Sequence, residues 1–512
     1  MDVLFICPGD ASEIYQDLAT DYSSIEPPTW ALLLAESCRS KGFKVGLIDV
    51  NAERIPNKTV VERILEIGPR LLCFVVYGQN VNAGTVAMSG AVKLSKDLKS
   101  ADISIPIAFL GSYMQALPLK ALEDEKSIDI VFTNEGVYSL HHLLREAVIN
   151  PVDLGHVKGL GYRKDGIPTL TPPEALVPQE KLDEDLPGYA WDLLPYKSQP
   201  LDLYRSPMWH AKYDHGKRSP YGTLYTSLGC KFGCDFCMIN ILNRTDNDPI
   251  GVASNYRIMR CWSKEFVVRQ IDKLVEMGVT TIRITDEMFL LNPGHYVPIC
   301  EELAQKSYAD RLLMWAYSRV DTVAKNPSIL QLLRKAGFHW LCLGIESGDR
   351  SVRLEVSKGK FDNIDVKKVI DSVHEAGIEV LANYLFGLPE EDLSSMQKTL
   401  DLSLELCTSG WNAYAVMPFP GSKLYKDALD NGYELPKDYA GYSFHSYTTV
   451  PMPTQHLSPA QILRFRDEAF TTYHTNPDVL ARISSKFGSQ SADNVLTMSK
   501  IKLKRKILGD ER

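Results

Sequence analysis

Short, continuously apolar runs alternate with helical patterns along most of this chain, and that alternation leaves few architectures open. Across residues 1–150 the runs are DVLFICPG (2–9), FKVGLIDV (43–50), RLLCFVVYG (70–78), IPIAFLGS (105–112) and DIVFTNEG (129–136). A strand with one wet face alternates apolar and polar residues; an unbroken apolar run belongs to a strand covered on both faces, as in a parallel sheet between helices. PPTWALLLAESCRSKG, NKTVVERILEIG and TVAMSGAVKLSKDLKSA supply the helical spacing in between. The fold class is therefore α/β, opening with a doubly wound, Rossmann-like domain over 1–150. Ligands of such sheets lie beyond the carboxyl ends of the strands.

Residues 151–218 change character. GLGYRKDGIPTLTPP reads as a hairpin around Asp165-Gly166, and DEDLPGYAWDLLPYKSQP, rich in proline and aromatics, reads as a connector wrapping one domain onto the next. From YGTLYTSLG (221–229) the alternation resumes with TIRITDEMF (281–289), LLMWAYSRV (312–320), WLCLGIES (340–347), VLANYLFG (380–387) and WNAYAVMPF (411–419). Six βα units over 219–425 predict a parallel sheet curled into a partial barrel, with its chemistry at the carboxyl strand ends. The stretch 426–512 is mainly helical.

The loop after the first barrel strand, TSLGCKFGCDFCMIN, crowds Cys230, Cys234 and Cys237 together in a Cys-x3-Cys-x2-Cys pattern. Thiolates favour zinc or iron–sulfur clusters. A structural zinc takes four protein ligands, and the next cysteine is Cys261. A cubane on three thiolates leaves one iron open to a small molecule. A zinc loop closed by a distant Cys or His, or three unrelated thiols, are the other readings; the spacing and the aromatic Phe236 weigh against both.

The net charge of −8 over 512 residues argues against a chain built to grip nucleic acid. No apolar run approaches the length that spans a bilayer, and MDVLFICPGD lacks the basic opening of a secretory signal. The expectation is a cytoplasmic protein with reduced cysteines.

Cys-x3-Cys-x-aromatic-Cys on the loop after the first strand of a six-unit βα barrel resembles the radical S-adenosylmethionine (SAM) superfamily. The resemblance implies a [4Fe–4S] cluster on Cys230, Cys234 and Cys237, SAM chelated to its open iron, and a deoxyadenosyl radical released when one electron splits the sulfonium. It also implies SAM contacts at the strand ends. These are Phe236 in the motif, Asp286 and Glu287 closing the second strand, and Arg319 closing the third. Glu346 and Ser347 close the fourth, and Gly387 lies in the FGLPEE turn. Without the resemblance, each is equally a strand-end group satisfied by a neighbouring loop.

Residues 1–150 resemble the cobalamin-binding domain that precedes the barrel in one large radical SAM class. The first helix and second strand, FLGSYMQALP, DIVFTNEGVYSLHHLL and EDLPGYAWDLLP carry that likeness. Gly78, Asn80, Gly111, Ser112, Glu135 and Gly136 are the expected corrinoid contacts. There is no Asp-x-His-x-x-Gly motif to supply a histidine to cobalt, and His141, His142 and His156 read as surface or capping residues. A nicotinamide reading lacks the Gly-x-Gly-x-x-Gly turn.

Both cofactors together imply a cobalamin-dependent radical SAM methyltransferase acting on an unactivated carbon, or phosphorus, that has no lone pair for displacement. A cobalamin-assisted cyclase or oxidoreductase is the alternative within the fold. A non-catalytic cluster- or zinc-binding accessory protein is the alternative outside it. Methylthiotransfer is disfavoured because Cys7, Cys38 and Cys73 read as packing residues. The implied partners are a small biosynthetic intermediate and an electron donor such as flavodoxin or ferredoxin. The tail KIKLKRK (500–506) is either a solvated face or a contact with an anionic substrate, carrier or membrane surface.

Overall fold

A computed structural model describes residues 1–9, 14–78, 81–194, 204–206, 220–356 and 364–512. Its first sheet contains β1 (Val3–Cys7), β2 (Val45–Asp49), β3 (Leu72–Val76), β4 (Ile107–Gly111), β5 (Ile130–Phe132), β6 (Leu160–Lys164) and β7 (Ile167–Leu170). The spatial order is β2-β1-β3-β4-β5-β6-β7. β1 to β5 run parallel, and every residue of β1, β3, β4 and β5 is buried. Helices such as Thr29–Ser40 and Gly84–Ser100 cover the faces, which is why the strands read as unbroken apolar runs.

The hairpin β6–β7 turns at Asp165 and Gly166, both at positive φ, and β6 pairs antiparallel with β5. The sequence places this hairpin with the connector; in the structure it extends the first sheet by two strands.

The second sheet is β8 (Tyr221–Leu224), β11 (Thr281–Ile284), β12 (Leu313–Arg319), β13 (Phe338–Glu346), β14 (Glu379–Phe386) and β15 (Gly410–Ala415), adjacent in chain order and all parallel. This is the six-stranded open barrel expected from the sequence. The predicted first strand stops early: Ser227–Leu228 (β9) leaves the sheet and pairs with Arg260–Cys261 (β10), starting the cysteine loop.

Helix starts follow local chemistry. Ser263 caps Lys264–Glu276, and capping boxes open Leu393–Leu406 (Asp392 with Ser395) and Pro459–His474 (Ser458 with Gln461). The two sheets are bolted together by buried polar contacts. Glu135 pairs with Arg260 at 2.6 Å, Glu26 pairs with Arg283, and Arg244 donates to the Gln115 carbonyl at 2.6 Å.

The tail is not a free basic strip. Arg505 is buried against Asp467, while Lys500, Lys502, Lys504 and Lys506 are exposed. The Lys504 N–H donates to Gln16 Oε1 at 3.0 Å, which ties residues 504–510 to the segment entering the first helix.

Candidate active site

At the carboxyl end of β8 the chain turns at Gly229, φ +80°, where a Cβ would run into the Ile258 carbonyl. Only glycine takes that conformation beside that backbone at little cost. The loop that follows is stapled by Asn240: its Oδ1 accepts from the Cys230 N–H at 2.7 Å, and its Nδ2 donates to the Phe232 carbonyl at 3.2 Å. The Cys237 N–H donates to the Cys234 carbonyl at 3.1 Å. The result presents Cys230, Cys234 and Cys237 to one cavity of about 520 Å³ that fills the barrel lumen. Burial pushes the Cys230 thiol up to about 12 and raises Cys237 as well. A bound metal reverses that preference, because a coordinated thiol is deprotonated outright. Among the described residues no group of three or more His, Cys, Asp or Glu side chains is drawn together closely enough to hold a metal ion. Cys261 does not line the lumen. Three thiols on one loop facing an open chamber suit an open-sided cluster and lack the fourth donor of structural zinc.

Phe236, Glu287, Arg319 and Glu346 line the same lumen. Burial pushes the Glu287 and Glu346 carboxyls up to about 7. Glu346 has φ +66° at a register shift between β13 and β14, a left-handed conformation that turns it toward the chamber. Arg319 is held by Asp321, with Nε to Oδ1 at 2.8 Å, and its guanidinium lies 4.3 Å from the Phe232 ring centre, beside the cysteine loop.

Three expected SAM contacts are elsewhere. Asp286 accepts from Thr226 N–H and Oγ1, both at 2.6 Å, and from Ser227 Oγ at 2.5 Å, so it braces the chain that leads into the loop. Ser347 donates to Glu391 at 3.1 Å and meets Thr399 at 3.2 Å. Gly387, φ +89°, donates its N–H to Glu391 at 2.8 Å and packs on Ile462. None of the three lines the lumen. The physical reason is shared: each is committed to a turn or strand end that carries a neighbouring lumen residue. Glu391, buried at the centre of the FGLPEE turn, is the organiser that sequence reasoning missed.

A second cavity of about 120 Å³ lies at the carboxyl ends of β1, β2 and β3, walled by Cys7, Asp49, Tyr77 and Gly78. Of the expected corrinoid contacts Gly78 is there, and Asn80 lies outside the described residues. Gly111, Ser112, Glu135 and Gly136 do not line it. Ser112 Oγ donates to the Val81 carbonyl at 2.6 Å, and Glu135 is spent on Arg260 and the Val177 N–H. Gly111 backs onto the Val76 carbonyl and Gly136 onto Leu110. These residues hold the sheet and the inter-domain joint. Among the described residues no histidine lines this cavity; His141 is buried against Ser37, its pKa lowered to about 4 by burial, and His142 and His156 pair with Glu174 and Glu146. The two cavities share wall residues, among them Tyr15, Ser24, Glu26, Ala83 and Val86.

The far wall of the lumen is partly aromatic. Trp411, Tyr414 and Tyr442 line it, whereas Tyr384 is buried outside it and Tyr447 donates to the Asp510 carbonyl at 2.9 Å. Glu26, Arg283, His445 and Arg466 also face the lumen and carried no motif.

Residues 224–403 match the Radical SAM superfamily. Over its length the chain is 25% identical to an uncharacterized methyltransferase of Pyrococcus horikoshii, covering 94% of each. It is 22% identical to the anaerobic magnesium-protoporphyrin IX monomethyl ester cyclase of Cereibacter sphaeroides, covering 90% of this chain and 68% of the cyclase. Its fold is similar to that of TsrM, a radical S-adenosylmethionine methyltransferase of Kitasatospora setae solved with cobalamin and a [4Fe–4S] cluster. That likeness has a TM-score of 0.63 and 16% identity, and covers 93% of this chain and 90% of that one.

Proposed function

We propose that this radical SAM enzyme methylates an unactivated carbon or phosphorus centre of a small molecule, holding cobalamin on its first domain and a [4Fe–4S] cluster with SAM in its barrel. One observation carries the reading: the chamber faced by three loop cysteines shares wall residues with the carboxyl-end cleft of the preceding Rossmann-like sheet. When bound, the cluster and SAM supply a radical that abstracts hydrogen, and cobalamin supplies a methyl group.

The chain's own residues do the rest. Cys230, Cys234 and Cys237 would hold the cluster. Glu287, Glu346 and Arg319 present two carboxyls and a guanidinium beside it, a set suited to the ammonium, hydroxyl and carboxylate groups of SAM. In the cleft the ends of β1 to β3 offer backbone and shape rather than an imidazole, which suits a corrinoid held without a protein histidine. Tyr15, Glu26, Ala83 and Val86 stand where the two compartments meet, so the reacting centre belongs near them. The apolar lumen walls exclude water from a radical.

We divide the chain functionally into 1–150, 151–218, 219–425 and 426–512. An acidic one-electron donor and a cytoplasmic setting complete the reading; no helix among the described residues is long and apolar enough to cross a membrane. A cobalamin-assisted cyclisation is the second reading, supported by the likeness to the cyclase. Anaerobic reconstitution tests all of this. Four irons, bound cobalamin, deoxyadenosine release and methyl transfer from labelled SAM are expected. Deoxyadenosine without methyl transfer favours cyclisation, and neither iron nor deoxyadenosine refutes the enzyme.

A further inference from the structure

The helix Pro459–His474 lays Arg466 against β15, the edge strand of the barrel farthest from β8. Arg466 is buried, with only 6% of its side chain exposed, and it lines the chamber. Its Nε donates to the Ala413 carbonyl at 2.9 Å and its Nη1 to Asp467 Oδ1 at 3.1 Å. Its guanidinium carbon stands 4.8 Å from the Phe444 ring centre and 5.2 Å from that of Phe470. Nη2 has no acceptor among the described residues.

The charge around it does not balance. Arg505 also takes Asp467, through Nε at 2.8 Å and Nη2 at 2.9 Å, and sends Nη1 to the Ser446 carbonyl at 3.1 Å. Two guanidinium groups thus divide one carboxylate. Asp510 reaches only the Arg505 backbone N–H, at 2.7 Å. His445, the neighbouring lumen residue, is kept neutral by burial and by both arginines. Tyr414, in edge contact with Phe444 at 5.1 Å, is neutral as well. Arg466 thus faces the chamber between aromatic rings with only a shared carboxylate beside it. A buried charge of this kind is costly unless an anion meets it.

We propose that Arg466 anchors a carboxylate of the substrate, and that the substrate is a monocarboxylate with a flat, apolar body that packs on Phe444 and Tyr414. This deepens the proposed function and rests on its placing the reaction in this lumen. A carboxylate matches one guanidinium that holds only part of a shared carboxylate and has one amino group vacant. A phosphate ester, with nearly two charges at pH 7, would bring a second uncompensated charge with it. SAM's own carboxylate has Arg319, which ends β12 beside the cysteine loop.

The test is equilibrium binding to the anaerobically reconstituted full chain of 3-phenylpropionate, 3-phenylpropanamide and 3-phenylpropylphosphonate. The expected wild-type result is a carboxylate bound at least about tenfold more tightly than its amide. In Arg466→Gln that preference falls below about twofold, and in Arg466→Lys part of it returns. SAM affinity and iron content stay at wild-type values in both variants. An amide that binds as well as the carboxylate, a wild type that binds neither, a tighter phosphonate, or a preference that survives Arg466→Gln overturns the assignment. If Arg466→Gln fails to fold, the wild-type series and Arg466→Lys decide. Iron content and deoxyadenosine release from the same preparation judge the enzyme separately from the carboxylate preference.

Discussion

Removing one member of the Glu26–Arg283 pair is expected to destabilise the chain far more than removing both. Glu26 comes from the first domain and Arg283 from β11, and their side chains are 7% and 3% exposed. Arg283 also lies 4.9 Å from the Trp315 ring centre and 5.2 Å from that of Tyr317, and Tyr221 donates to Glu26 at 3.3 Å. Glu26→Leu leaves a guanidinium buried among aromatic rings without its carboxylate. Arg283→Met leaves a carboxylate there, already disfavoured because burial raises its pKa. Breaking a buried pair from one side costs about 3–5 kcal/mol, whereas apolar replacement of both partners is often neutral. The double variant Glu26→Leu/Arg283→Met keeps its aromatic walls and should lie within ~1–2 kcal/mol of wild type. The cycle therefore gives a coupling of several kcal/mol, well above the 0.3–0.5 kcal/mol roughly expected of independent sites. Urea denaturation followed by near-ultraviolet circular dichroism, with unchanged m-values, measures it. Single variants that each lose less than about 1 kcal/mol, or a double variant as unstable as the sum of the singles, would refute the argument.

Three further outcomes are expected. Cys234→Ala should abolish deoxyadenosine release while leaving cobalamin binding intact; residual deoxyadenosine at wild-type rate would exclude the cysteine loop as cluster site. Glu346→Gln should raise the thermal midpoint of the cofactor-free chain at pH 8 but not at pH 4. The folded-state pKa of Glu346 is raised to about 7 from 4.5, so its contribution is most favourable below 4.5 and is lost as pH rises through 7, with an upper bound of about 3 kcal/mol. A midpoint gap that does not change with pH contradicts this. Arg505→Met should cost about 1–3 kcal/mol through lost hydrogen bonds to the Ser446 carbonyl and Asp467, read as a lower urea midpoint. Lys502→Gln, at an exposed position, should shift the denaturation midpoint by nothing measurable.

The strands and their parallel order were readable because burial on both faces writes itself as unbroken apolar runs, and β1, β3 and β4 are buried throughout. The cysteine loop was readable because its ligands are close in sequence. The rest of the site depends on which way a strand-end residue turns. Asp286 and Glu287 are neighbours in sequence, yet one braces Thr226 and Ser227 while the other faces the lumen. Glu135 and Gly136 stood at the right strand end for a ligand but serve an ion pair and a close backbone approach. Glu26–Arg283 and Arg466–Asp467–Arg505 join residues from separate segments, and no local pattern marks such partners. In the basic tail the four lysines are exposed, and no local pattern marks Arg505 as the one that is buried.

The junction between Gln16 and Lys504 sets an order of events during synthesis. Gln16 lies 488 residues before the segment that fixes it, an interval of roughly 25–100 s at ribosomal rates. Throughout that time Tyr15 and its neighbours, which wall both compartments, lack their final brace. The wall that the two compartments share is therefore braced only after the barrel and its helices have been made.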